Sequence, residues 1–201
     1  MTNENYSQLE ALDVGQPIWD RFFTVSPLVL IGTVEPNGDA DLAPKHMAFP
    51  LGWDNYFGFI CTPRHRTYAN ISRSGGFAVS YPRPSDVVTT SLAASPRCDE
   101  SKPIVGLLET FPARRVEGVF VENANLFLEC RLEQMVDGFG DNSLIAGRVV
   151  AAYARPDVLR GTDRDDGELL IDSPQLAYLY PGRFAVVDET EGFPFPAGMR
   201  R

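Results

Sequence analysis

Histidine and cysteine are scarce in this chain. Two histidines, His46 and His65, and three cysteines, Cys61, Cys98 and Cys130, serve 201 residues. Neither histidine lies in an HExxH arrangement or beside a carboxylate at ligand spacing, so no zinc or iron site is expected. The cysteines are odd in number, widely spaced and free of a CxxC pair. They read as reduced, core-buried thiols of a cytoplasmic protein. GxSxG is missing too, which leaves a Ser/His/Asp hydrolase without its nucleophile elbow. No apolar run approaches the ~18–20 residues that span a bilayer. The first ten residues lack a basic start and an apolar stretch, so neither a signal peptide nor a membrane segment is expected. Positive charge is in deficit: 18 Lys and Arg face 27 Asp and Glu, a net −9. Nucleic-acid binding needs a basic face and is not expected. A small anion in one local basic pocket remains compatible with that balance.

Hydrophobic content is ample, at 44% with thirteen Phe, seven Tyr and two Trp. The length suits one domain over residues 1–201. Pro17–Phe23 reads as a short helix with Ile18, Trp19, Phe22 and Phe23 on its apolar side. Leu28–Val34 and Ala40–Met47 read as strands around Asn37-Gly38, a hairpin signal. Tyr56–Cys61 is a third strand. Thr67–Ser74 is a short helix stopped by Gly75-Gly76, and Phe77–Tyr81 is a fourth strand. Asp86–Ala94 and Ile104–Leu108 carry helical turns. Arg115–Val121, Ala124–Met135 and Ser143–Ala154 return to strands. Alternation of Leu126, Leu128, Cys130 and Leu132 with Phe127, Glu129, Arg131 and Glu133 predicts one buried face. Asp163–Gly167 reads as a solvated acidic loop, and Phe184–Val187 as a last strand. Short strands dominate without βαβ repetition. The expected class is all-β with helical insertions, an antiparallel β-barrel.

Chemistry concentrates in Thr62-Pro63-Arg64-His65-Arg66-Thr67-Tyr68-Ala69-Asn70-Ile71. Arg64, His65 and Arg66 stand where a helix begins, although the positive end of the helix dipole disfavours cations there. A bound anion would resolve the conflict, using free N–H groups, the hydroxyl of Thr67 or Thr62 and the basic side chains. The plainer alternative is a solvated basic turn with Thr67 as N-cap. In Asp41-Leu42-Ala43-Pro44-Lys45-His46-Met47 a proline interrupts a strand pattern, which places it at an edge or a bulge. His46 reads as a hydrogen-bonded structural histidine, and Ser80 as a hydroxyl that satisfies a core carbonyl. Arg148 reads as a surface arginine. The aromatic tail, Gly192–Phe195, reads as packing on a neighbouring surface.

Taken in order, these segments resemble the flavin reductase-like family, whose fold is an FMN-binding split barrel. The resemblance covers about residues 28–154. It rests on Leu30–Val34 with Asn37-Gly38, on Asp41-Leu42-Ala43-Pro44 and on Thr62–Ile71. Further matches are Phe77–Ser80, Lys102 with Gly106-Leu107 and Pro112–Val116, and the pair Leu128-Glu129-Cys130 and Ile145–Val150. Departures are Lys45 and His46 where the family commonly has an aromatic and then Ser, Ser80 where Asn is common, and Gly147-Arg148-Val149 for Gly-Glu-Val. The resemblance implies an antiparallel split β-barrel, with 155–201 as an extension on the barrel or a partner. It implies FMN as cofactor and a homodimer with flavin near the subunit interface. The implied reaction is hydride transfer from NADH or NADPH to flavin and on to an acceptor; the alternative is a non-catalytic FMN-binding or flavin-carrier protein. Pro44, Lys45, His46 and Met47 would line the ring and ribityl chain, and Ser80 stands among the implied flavin-site residues. Thr62, Arg64, His65, Arg66 and Thr67 would surround the phosphate, with Asn70 bracing the helix. No acid–base residue is implied.

Overall fold

The structure is a computed structural model that describes residues 4–98, 102–161, 163–196 and 198. Its frame is a curled seven-stranded antiparallel sheet, a half-barrel in the order β3-β2-β6-β9-β10-β5-β4. These strands are β2 (Val29–Val34), β3 (Ala40–Lys45), β4 (Ala48–Pro50), β5 (Tyr56–Cys61), β6 (Gly76–Pro82), β9 (Ala124–Phe139) and β10 (Asn142–Ala154). Val29, Ile31, Phe57, Phe59, Phe77, Val79, Cys130 and Ile145 fill the interior and are inaccessible to solvent. A three-stranded sheet joins β1 (Thr24–Pro27), β11 (Gln175–Tyr180) and β12 (Arg183–Val187) in the order β1-β11-β12. A short pair, β7 (Thr110–Pro112) and β8 (Val119–Val121), lies across β2 and β6. Helices are few and short: α1 (Arg66–Ser74), α2 (Val87–Leu92) and α3 (Asp166–Asp172).

The β2–β3 hairpin turns over Glu35–Asp39, with Val34 paired to Ala40 and Gly38 at φ 92°. Pro44 is tolerated because β3 is an outer strand of the large sheet. Gly75 ends α1 in the left-handed conformation, its N–H donating to the Ile71 carbonyl. Gly32 is demanded by packing: a Cβ there would stand 1.8 Å from the Val119 carbonyl oxygen, because β8 crosses β2 at backbone contact.

Several expectations need correction. Pro17–Phe23 holds only one 3-10 turn, Trp19–Arg21, and the chain is extended by Phe22. Only Val119–Val121 of Arg115–Val121 is strand. The amides of Arg114, Arg115 and Val116 all donate to one oxygen, Oε2 of Glu129. A backbone that converges on one acceptor cannot also form a ladder. The first half of β9 is accordingly covered on both faces, with Phe127, Glu129 and Cys130 buried and Leu126 and Leu128 partly buried. Asp163–Gly167 runs into α3, because the Asp165 carboxylate accepts from the Gly167 and Glu168 amides at 2.8 and 3.3 Å. Cys61 and Cys130 are buried thiols, as expected, but Cys98 is exposed.

Candidate functional site

The start of α1 is fixed by a polar network beneath it. Thr67, Asn70 and Ile71 fall at helical spacing and form the buried face of the helix. Asn70 Nδ2 donates to Thr33 Oγ1 at 3.0 Å, and Thr33 Oγ1 donates to Asp41 Oδ2 at 3.4 Å. Thr67 Oγ1 donates to the same Asp41 oxygen at 3.1 Å. Two neighbouring strands thereby set the helix position. The helix itself opens at Arg66, with His65 at the N-cap making no side-chain capping bond. Thr67 is therefore no cap; its hydroxyl points inward.

Above this network lies a cleft of about 420 Å³. Its cationic lining comes from three places: Lys45 on β3, Arg64 and Arg66 at the start of α1, and Arg97 and Lys102 beyond α2. Asp41, Pro44, His65 and Thr67 complete its polar and backbone surfaces. Arg97 Nη1 is 2.9 Å from Glu35 and 3.1 Å from Asp41. Lys102 Nζ donates to the Leu42 carbonyl at 2.7 Å, which covers an outward-facing acceptor of an outer strand. Burial lowers the Lys102 ammonium below its ordinary value, and Asp41 opposes that shift. Arg64 reaches Asp141 in the β9–β10 turn at 2.9 Å, with both side chains more than three-quarters exposed. That pair contributes little to stability. The arrangement is a concave, predominantly cationic surface at a helix N-terminus in an acidic chain. It can hold a small anion.

Of the residues singled out in the sequence, Pro44, Lys45, Arg64, His65, Arg66 and Thr67 come together here. Asn70 lies below them as a brace. Thr62 is outside the lining, and its buried hydroxyl oxygen has no hydrogen-bond partner among the described residues. His46 and Met47 face a neighbouring recess of about 350 Å³ with Trp19, Phe49 and Tyr180. The His46 ring packs on Tyr178 at 4.6 Å and Tyr180 at 5.5 Å. Its Nε2 is buried without a hydrogen-bond partner, so packing rather than hydrogen bonding holds this histidine. Ser80 is buried between strands, its hydroxyl oxygen accepting from the Val121 amide at 3.1 Å rather than serving a carbonyl. Arg148 lies over the Tyr56 ring at 4.6 Å and 3.6 Å from Glu133, on the surface. Gly147 beside it has a packing reason: a Cβ would meet Phe77 at 2.7 Å.

Sequence reasoning missed Arg97 in this cleft and, with it, the hub role of Asp41. Fifty-six residues separate the two, and no local pattern announces the contact. A second recess of about 420 Å³, between Tyr81, Leu126, Val158 and α3, is mainly apolar and carries one opposite-charge pair, Arg160 and Asp166. It lacks the cationic surplus of the first.

Burial, with Lys45 nearby, lowers the pKa of His46 from its ordinary 6.5; burial, Lys45 and Arg64 do the same to His65. Both rings therefore take up a proton less readily in the folded chain than in the unfolded one. The unfolded chain takes up protons first as pH falls, so stability is fully present above about 6.5 and declines below it. Thermal melts should show a midpoint that is level from pH 8 to 7 and falls toward pH 5.5. His46→Phe keeps an aromatic ring against the two tyrosines and should flatten that fall. An unchanged pH slope in the variant would remove His46 from the account.

The half-barrel matches known proteins across nearly the whole chain. The family model for the flavin reductase like domain matches residues 21–183. The chain belongs to this flavin reductase-like family, and its fold is the split barrel. The solved Pseudomonas fluorescens 2-nitrobenzoate 2-nitroreductase is 18% identical, with a TM-score of 0.77 over 94% of this chain and 95% of that one. A Shewanella frigidimarina protein described as a flavin reductase with a split barrel domain is 17% identical, with a TM-score of 0.73 over 97% and 98%. The FMN-binding protein of Thermus thermophilus, solved with p-hydroxybenzaldehyde, is 20% identical, with a TM-score of 0.75 over 92% and 100%.

Proposed function

We propose that this protein is an FMN-dependent oxidoreductase acting between NADH or NADPH and an acceptor. The observation that carries the reading is the cationic cleft at the start of α1, which runs on along β3 from Pro44. Its donors fit a phosphate. Lys45, Arg64 and Arg66, with Arg97 and Lys102, supply the charge, and the opening turn of α1 supplies backbone polarity. His65 adds a hydrogen-bonding ring rather than charge at neutral pH. Thr67 and Asn70 keep the helix start in place. The stretch from Pro44 to Met47 leads out of the cleft into the aromatic recess of Trp19, Phe49 and Tyr180, where a flat ring system would find apolar walls. When bound, the flavin supplies the hydride chemistry. No side chain of this site is assigned a proton-transfer role.

The reading extends to assembly. Trp19, Phe23, Val25, Phe184 and Phe193 are each more than half exposed, more large apolar surface than a monomer ordinarily leaves open. A homodimer would cover it, at an interface well above ~1,000 Å². The whole chain would form one domain, with residues 155–201 packed on the barrel or the partner. Buried reduced thiols fit a cytoplasmic location. Among the described residues, no helix is long and apolar enough to cross a membrane.

Anaerobic spectroscopy tests the reaction. The protein mixed with FMN should lose its yellow absorbance on addition of NADH or NADPH, far faster than free FMN does. A bound flavin that neither nicotinamide bleaches would make the protein a flavin carrier instead. Light scattering on the same sample should give twice the chain mass, and a mass near 22 kDa would overturn the dimer.

A further inference from the structure

Two buried carboxylates under the cleft share one guanidinium. Glu35 and Asp41 are 5% and 3% exposed, and both lean on one guanidinium nitrogen, Nη1 of Arg97. Glu35 sits in the β2–β3 turn, whereas Asp41 is part of the cleft wall itself. Asp41 cannot swing away, because the hydroxyls of Thr33 and Thr67 both donate to it from rigid elements. Four of the donors that an anion would recruit already have occupations. Thr67 serves Asp41, Lys102 serves the Leu42 carbonyl, Arg97 serves two carboxylates and Arg64 serves Asp141. At these four an entering phosphate exchanges partners, and it does so beside a fixed negative charge.

We propose that Asp41 sets the affinity of this cleft for phosphate monoesters by opposing them. The inference rests on the phosphate reading of the cleft given above and adds a sign to it. In a partly water-excluded cleft, like charges a few ångströms apart repel far more than in bulk solvent. Asn at this position keeps an acceptor oxygen for Thr33 and Thr67 while removing the charge. The amide NH₂ replaces the oxygen that accepted from Arg97 at 3.1 Å, so Arg97 gives up that bond and keeps Glu35 as its carboxylate partner. A purely structural Asp41 predicts the opposite sign, because any loosening of Arg97 or of the start of α1 weakens binding.

The test is calorimetric titration of the full chain and of Asp41→Asn with FMN and with riboflavin, at low and at high salt. FMN should bind about ten-fold more tightly to Asp41→Asn at low salt, with most of the gain persisting at high salt, because a buried like-charge pair is screened far less than an exposed one. Riboflavin affinity should not move. Glu35→Gln, which removes the other carboxylate from outside the cleft wall, should shift FMN in the same direction by less. It decides the matter if Asp41→Asn does not fold. Unchanged or weaker FMN binding by the folded variants, in a parent that prefers FMN to riboflavin, overturns the role of Asp41 alone. A parent that binds FMN and riboflavin equally overturns the phosphate reading, and this inference falls with it.

Discussion

Glu129→Ala is expected to destabilise the protein by about 3–5 kcal/mol, the cost of stripping a buried charge-assisted hydrogen-bond set. The Glu129 side chain is fully buried. Its Oε2 accepts from the amides of Arg114 and Val116 at 3.0 and 3.2 Å and from that of Arg115 between them. Its Oε1 accepts from the Tyr153 hydroxyl at 3.2 Å. Alanine leaves three backbone donors facing a cavity and releases the turn that leads into β8. Since β8 closes over Gly32 at backbone contact, the loosening should spread to the middle of the sheet. At roughly 2–4 °C per kcal/mol for a chain of this size, the melting midpoint should fall by roughly 6–20 °C. Glu129→Gln should cost much less. Its amide oxygen can take the backbone donors while its NH₂ donates to the Tyr153 oxygen. A Glu129→Ala midpoint within a degree or two of the parent would mean that the carboxylate does not hold this turn.

Glu129 also shows where sequence reading stops. Alternation along β9 places Glu129 opposite the leucines, which argues for solvent, and a charged residue at such a position is ordinarily exposed. Its burial depends on a turn fifteen residues upstream that supplies three amides. Nothing local encodes that. Signals that act over a few residues were legible: the Asn37-Gly38 hairpin, the Gly75 stop of α1 and the outer-strand proline at position 44. Capping by Asp165 was equally local, but the acidic run around it masked the signal for α3. The basic segment at the start of α1 forms one wall of the cleft. Its counterpart, the cations Arg97 and Lys102 brought over from beyond α2, needed tertiary structure to find. Thr67 illustrates the same limit. A threonine at a helix start suggests a cap or an anion ligand, yet its hydroxyl faces Asp41 on a neighbouring strand. His46 stands only one residue beyond β3, but the chain turns there and carries it to Tyr178 and Tyr180 instead of into the cleft.

The central claim is that the cleft at the start of α1 binds the phosphate of a flavin. It carries a large expected effect, because FMN and riboflavin differ by that phosphate alone. Charge-assisted hydrogen bonds contribute roughly 1.5–3 kcal/mol each, and partner exchange within the cleft returns part of it. Two net gains of that kind still amount to about 100-fold or more in affinity at ~1.4 kcal/mol per decade. The overall charge of −9 opposes a long-range origin, because the net field repels an anionic ligand. The decisive measurement is therefore the ratio of FMN to riboflavin dissociation constants for the unaltered protein, determined by fluorescence titration at low salt. The account predicts a ratio favouring FMN by about two orders of magnitude, collapsing toward unity when Lys45 and Arg66 are both replaced by Met. Equal affinities in the unaltered protein, or a preference for FMN that survives that double replacement intact, would contradict it.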